Sequence, residues 1–113
     1  MHAISLGDVN KQRELVASFQ ETYEQVHRQL REAVSSMKQS DAERYAQMIK
    51  ENALTIGFEE LYKAYDSLQA LATKGRLDRV KARLPSAHNI CLRSLAAFQE
   101  YLTMDSEQSE FSQ

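Results

Sequence analysis

Few side chains in this chain could carry out group chemistry: His2, His27, His88, the single cysteine Cys91, and a polar run made of Gln47, Lys50 and Glu51. An imidazole can serve as nucleophile, base or metal ligand. His2 lies in a terminal segment expected to be mobile. His27 follows Val26 on the flank of a long amphipathic segment, which predicts a surface or edge position. His88 stands among Leu84, Cys91 and Leu95, where a hydrogen-bonded and partly buried imidazole is expected. Cys91 falls at core spacing and reads as a small hydrophobe before a nucleophile. One cysteine excludes an internal disulfide and the multi-cysteine zinc patterns. No catalytic residue, metal or cofactor is expected from these groups.

The polar run belongs to a segment with two unlike faces. At about 100° per residue on a helix, Ala42, Tyr45, Ile49, Asn52, Ala53 and Ile56 gather on one side. Gln47, Lys50, Glu51 and Leu54 gather on the other, with Glu43 and Arg44 beside them. The first set suits burial against neighbouring helices, while the second must meet water or a partner. Glu43, Arg44, Gln47, Lys50, Glu51 and Leu54 are therefore the candidate protein-binding residues. Each is also an ordinary residue for an exposed helix face.

The same stretch resembles the phosphorylation-site helix of histidine-phosphotransfer (HPt) domains, whose pattern is His-x-x-Lys-Gly, then small residues, then an aliphatic residue and a glycine. Lys50 takes the place of the lysine, Asn52 and Ala53 take small or polar places, and Ile56-Gly57 closes the pattern. Two positions depart from it. Gln47 stands where the phosphorylatable histidine belongs, and Glu51 stands where the glycine belongs. An amide nitrogen delocalises its lone pair into the carbonyl, so Gln47 can hydrogen-bond but cannot carry phosphate. Glu51 fills space beside that position and adds negative charge toward an acidic receiver site, where like charges repel.

The resemblance covers roughly residues 8 to 104 in length and helix order. It implies a pseudo-phosphotransfer protein that binds without catalysis, with a response-regulator receiver domain or a sensor histidine kinase as partner. Two rivals remain open: an active phosphotransferase in which Gln47 stands in place of a native histidine, and a helical-bundle adaptor with an unrelated protein partner. Neither His27 nor His88 is followed by the Lys-Gly-small pattern, so neither inherits the phosphoryl role.

The elements that must position these residues follow from periodicity. The chain has 113 residues, 42% hydrophobic and 27% charged, with 3 Gly and 1 Pro. That is one domain's worth of core and little material for turns, which favours long helices. In the first helix, expected over residues 8–37 with Asp8 as its cap, Leu15, Phe19, Tyr23, Val26, Leu30, Ala33, Val34 and Met37 form the apolar stripe. Its solvated face includes Glu24, Arg28 and Arg31.

A second helix is expected from about Asp41, opened by a Ser40–Glu43 capping box and closed near Gly57. A third carries Phe58, Leu61, Tyr62, Tyr65, Leu68, Leu71 and Ala72 and ends at Lys74-Gly75. The fourth periodic segment holds Leu77, Val80, Leu84, Ala87, Cys91, Leu95, Phe98 and Leu102. Pro85 within it predicts a kink or break.

The expected fold is all-α: an antiparallel up-down four-helix bundle over residues 8–104, with an N-terminal arm over 1–7 and a disordered tail over 105–113. A net charge of -2 with interspersed signs disfavours nucleic acid. No apolar run approaches the length of a membrane span, and the start lacks a signal-peptide pattern. A cytoplasmic protein without membrane or nucleic-acid partners is the expectation.

Overall fold

The computed structural model describes the backbone of residues 6–111 and the side chains of residues 10–101. Its elements are α1 (Leu6–Ser35), α2 (Gln39–Ile56), α3 (Glu59–Thr73) and α4 (Leu77–Phe111), with no strand among the described residues. Each helix packs on the next, and α4 returns to α1. Loops this short force neighbouring helices to run antiparallel, so the architecture is an up-down four-helix bundle. No described helix is long and apolar enough to cross a membrane.

The three loops share one device. Met37 N–H bonds to Val34 O at 3.2 Å and Lys38 N–H to Ala33 O at 2.8 Å. The same pair of bonds recurs with Gly57 and Phe58 reaching Leu54 and Ala53, and with Gly75 and Arg76 reaching Ala72 and Leu71. This is the Schellman closure, which satisfies carbonyls that a helix end would leave unpaired and needs a left-handed residue at its centre. That residue has φ of 88° at Gly57, 76° at Gly75 and 59° at Met37. The expected stops at Gly57 and Gly75 are thus present. Met37, read from its spacing as core, instead turns the first corner and is 72% exposed.

Other expectations are corrected by packing. The seam of α1 runs Val16, Phe19, Tyr23, Val26, Leu30 and Ala33. Val16 fills the slot three residues before Phe19, and Leu15 is 56% exposed. Asp8 lies inside α1, which already begins at Leu6, so it is not the residue that starts the helix. The Ser40–Glu43 capping box does not form. Helix α2 starts at Gln39, with Lys38 at the N-cap making no side-chain cap bond, which places Ser40 inside the first turn.

Two side chains there serve α3 instead: Gln39 Nε2 donates to Thr73 O at 3.0 Å, and the Thr73 hydroxyl donates to the Glu43 carboxylate. Helix α4 runs through Pro85 as one helix. Pro85 and Lys81 are exposed, so the Lys81 carbonyl that loses its N–H partner lies on the outer side. Leu84, Ala87 and Cys91 hold the inner side in the core. The backbone of α4 is helical to Phe111. Residues 1–5 of the expected arm lie outside the described residues.

The loops yield a paired prediction. A Cβ at Gly57 would meet nothing within 4 Å, so Gly57→Ala tests left-handed strain alone. It should lower stability by about 1 kcal/mol. Met37→Gly should do no harm or stabilise by a few tenths of a kcal/mol, because relief of strain offsets the greater freedom of glycine when unfolded. Urea unfolding of the two variants measures both; a destabilised Met37→Gly would show that the Met37 side chain itself is needed.

Candidate functional site

Helix α2 turns Ala42, Ala46, Ile49 and Ala53 into the core, with Tyr45 and Ile56 half-buried against it. The six expected binding residues then divide. Lys50 is drawn to α3, where Nζ lies 3.2 Å from Asp66 Oδ1 and 5.9 Å from the centre of the Tyr62 ring. Glu43 is likewise tied to α3 through Thr73. Arg44 stays exposed, 3.4 Å from Asp41 Oδ1 and over the Tyr45 ring. Gln47 is exposed and donates from Nε2 to Glu51 Oε2 at 3.0 Å, while Leu54, 59% exposed, stands nearly two turns further on. Met48, not singled out from the sequence, is also exposed. The outward surface of α2 therefore presents an amide–carboxylate pair with an aliphatic residue beside it. The Gln47 amide, its lone pair delocalised into the carbonyl, is not a nucleophile.

A second cluster lies across the bundle, and its centre is buried. His27, expected at the surface, is only 9% exposed. It stands four residues after Tyr23 on the inward side of α1, and partners from α3 and α4 hold it there. Tyr23 Oη lies 2.8 Å from Tyr65 Oη and 2.9 Å from His88 Nδ1, and Tyr65 Oη lies 3.2 Å from His27 Nδ1. The rings stack as well: His27 on His88 with centroids 4.8 Å apart, and Tyr23 on His27 at 5.2 Å. The hydrogen-bonded, half-buried position of His88 is as its spacing predicts. The convergence was not legible from sequence, because Tyr23, Tyr65 and His88 are 42 and 65 residues apart from hub to partner. Only the inward period of Tyr23 and Tyr65 pointed to it.

Protons can be counted along this chain of contacts. Three short contacts need three hydrogens, and the two hydroxyls supply two. At least one Nδ1 must carry the third. A neutral imidazole protonated at Nδ1 has a bare Nε2. The cluster thus turns at least one Nε2 lone pair away from the tyrosines.

Burial decides the ionisation of the inner groups. It pushes the Tyr23 and Tyr65 hydroxyls above the usual phenol range and the Cys91 thiol up to about 12, so all stay protonated at neutral pH. Loss of solvation is the main cause pulling His27 down to about 4, with His88 and the Arg31 guanidinium adding repulsion. His88 and Cys91 stand one turn apart on α4, yet among the described residues no group of three or more His, Cys, Asp or Glu could hold a metal ion.

Above the stacked imidazoles, α1 and α4 part to form a cleft of about 620 Å³. Glu24, Arg28 and Arg31 from α1 and Lys81 and Pro85 from α4 line it, with His27 and His88. Arg28 and Arg31, expected as part of a solvated face, are exposed here at the cleft's edge. No family model, curated protein or solved structure matches this chain.

The depressed ionisation of His27 predicts a pH dependence. The unfolded imidazole titrates near 6.5 and the folded one near 4, so the unfolded chain binds the proton more tightly in between. Stability from neutral His27 is complete above about pH 6.5 and falls as pH drops through 4, by up to about 3 kcal/mol. Denaturant unfolding from pH 7 to 4 should show this decline, and His27→Gln should flatten it. An equal slope in the variant would assign the acid sensitivity to other groups.

Proposed function

We propose that this chain is a non-catalytic, HPt-like protein-binding module that regulates two-component phosphorelay signalling. It does so by holding a response-regulator receiver domain or a sensor histidine kinase against the exposed face of α2. The observation that carries the reading is Gln47, exposed on α2 with its amide engaged by Glu51. A phosphoryl acceptor at this place needs a free ring nitrogen, and a carboxamide offers none.

The histidines do not supply a substitute on that face. Both rings engage the tyrosine hydroxyls through Nδ1 and line the α1/α4 cleft. The residues left for a partner are Arg44, Gln47, Glu51 and Leu54, with Met48 at the margin. Lys50 and Glu43 tie the face to α3, and an exposed Leu54 supplies apolar area to cover.

The experiment is calorimetric titration of the protein with receiver domains and kinase dimerisation domains from its own cell. Burying Leu54 under a partner contributes about 1.5 to 3 kcal/mol, so Leu54→Asp should weaken binding at least about tenfold with an unchanged melting temperature. Gln25→Glu, on the exposed side of α1, should change little. Incubation with a phosphorylated receiver should leave no acid-labile phosphoryl group on the chain. Absence of binding to every such domain, or full affinity in Leu54→Asp, would overturn the reading.

A further inference from the structure

We propose that the cleft between α1 and α4 is a binding site for inorganic phosphate, an anion that still carries a proton near neutral pH. The site is held by Arg28, Arg31 and Lys81 at the edge and by the His27–His88 pair at the floor. It lies apart from the α2 face and does not depend on what that face binds.

Charge is the first argument. The chain as a whole is acidic, with a formal net charge of -2, yet this cleft gathers three cations against the single carboxylate of Glu24. Guanidinium groups match phosphate oxygens with paired donors, and a lysine adds a point charge. The cations sit on exposed positions of two helices, while the imidazole floor is largely shielded from water. An anion reaching that floor would have its charge interactions strengthened by the loss of solvent. The cleft's volume of about 620 Å³ is in the range of small-molecule sites and exceeds what a bare phosphate fills.

Hydrogen counting supplies the second argument and narrows the chemistry. Nδ1 of each ring is committed to the tyrosines, so Nε2 is the nitrogen each ring has for the cleft. At least one Nε2 is a bare acceptor in the neutral protein, since at least one Nδ1 must donate. A fully ionised anion has no hydrogen to offer that lone pair. Inorganic phosphate near neutral pH retains one, and can donate it to Nε2 while its other oxygens accept from Arg28, Arg31 and Lys81; a monoester, with a second pKa of about 6, has largely lost it. Sulfate can satisfy that bare Nε2 only if the ring first takes a proton from solvent. At His27 that step is opposed by burial, by His88 and by Arg31. The groups around the imidazoles are Glu24, Arg28 and Arg31 of α1 and Lys81 of α4 in the cleft lining, with Tyr23 and Tyr65 on the Nδ1 side. Of these only Glu24 favours a positive ring.

The test titrates the folded protein with sodium phosphate, methyl phosphate and sodium sulfate at constant ionic strength, following the histidine ring resonances by NMR. At pH 7 phosphate should bind saturably, about tenfold more tightly than sulfate or the methyl phosphate dianion, with shifts at the Nε2 atoms of His27 and His88. Methyl phosphate should approach the affinity of phosphate only below about pH 6, where it too carries a proton; binding as tight as phosphate at pH 7 would overturn the proposal. Acidification toward pH 4 should narrow the gap to sulfate. Arg31→Gln with Lys81→Gln, both at exposed positions, should weaken phosphate about a hundredfold without lowering the melting temperature, while Leu54→Asp leaves it unchanged. Equal affinity for sulfate and phosphate at pH 7, no shift at either imidazole, or full affinity in the double variant would each overturn the proposal.

Discussion

A hydroxyl buried in an apolar core must find partners, and Tyr23 finds them on two other helices at once. Its Oη meets Tyr65 of α3 at 2.8 Å and His88 of α4 at 2.9 Å. An unsatisfied buried polar group costs about 1–3 kcal/mol, so sliding any of these helices by one turn would leave several such groups exposed to that penalty. Apolar packing alone tolerates slippage far better than a chain of hydrogen bonds does. The polar junction therefore sets the register of α1, α3 and α4, and the aromatic stack from Phe58 through Phe19 to Tyr23 extends it toward one end of the bundle.

Helix α2 takes no part in that junction. It packs through Ala42, Ala46 and Ala53 with Ile49, and small side chains let its backbone approach the core closely. Its polar ties, from Gln39, Glu43 and Lys50, run to α3 at the surface. Exposed ion pairs such as Lys50–Asp66 contribute little stability, about 0 to 1 kcal/mol. This division leaves two separate outward features. One is the α2 face around Gln47, which contains no imidazole. The other is the α1/α4 cleft, whose floor is made of two imidazoles.

Parts of this arrangement were plain in the residues. Glycine after a helical stripe gave the stops at Gly57 and Gly75, because a left-handed closing residue is strained in any other type. Met37 shows the limit of that logic: the same turn forms without glycine when the helices on either side are held by packing. The Ser40–Glu43 pair carried a capping signature, but Thr73 on α3 competes for Glu43, and only the folded chain brings Thr73 near. A kink or a break was expected at Pro85; α4 does not break there, and core contacts on the opposite side carry the helix through it.

By itself, the sequence determined that this chain is helical, that it folds into one bundle of four amphipathic segments, and that Gln47 cannot be a nucleophile. Those properties are local: periodicity, scarcity of turn residues and the chemistry of one side chain. Only the tertiary structure decided that His27 is buried, that it stacks on His88, and that Arg28, Arg31 and Lys81 border the same cleft. Such meetings depend on which faces of distant helices oppose one another, and helical period orders residues within a helix but not between helices. A histidine beside Val26 reads as a flank residue until Tyr65 and His88 arrive to satisfy its ring.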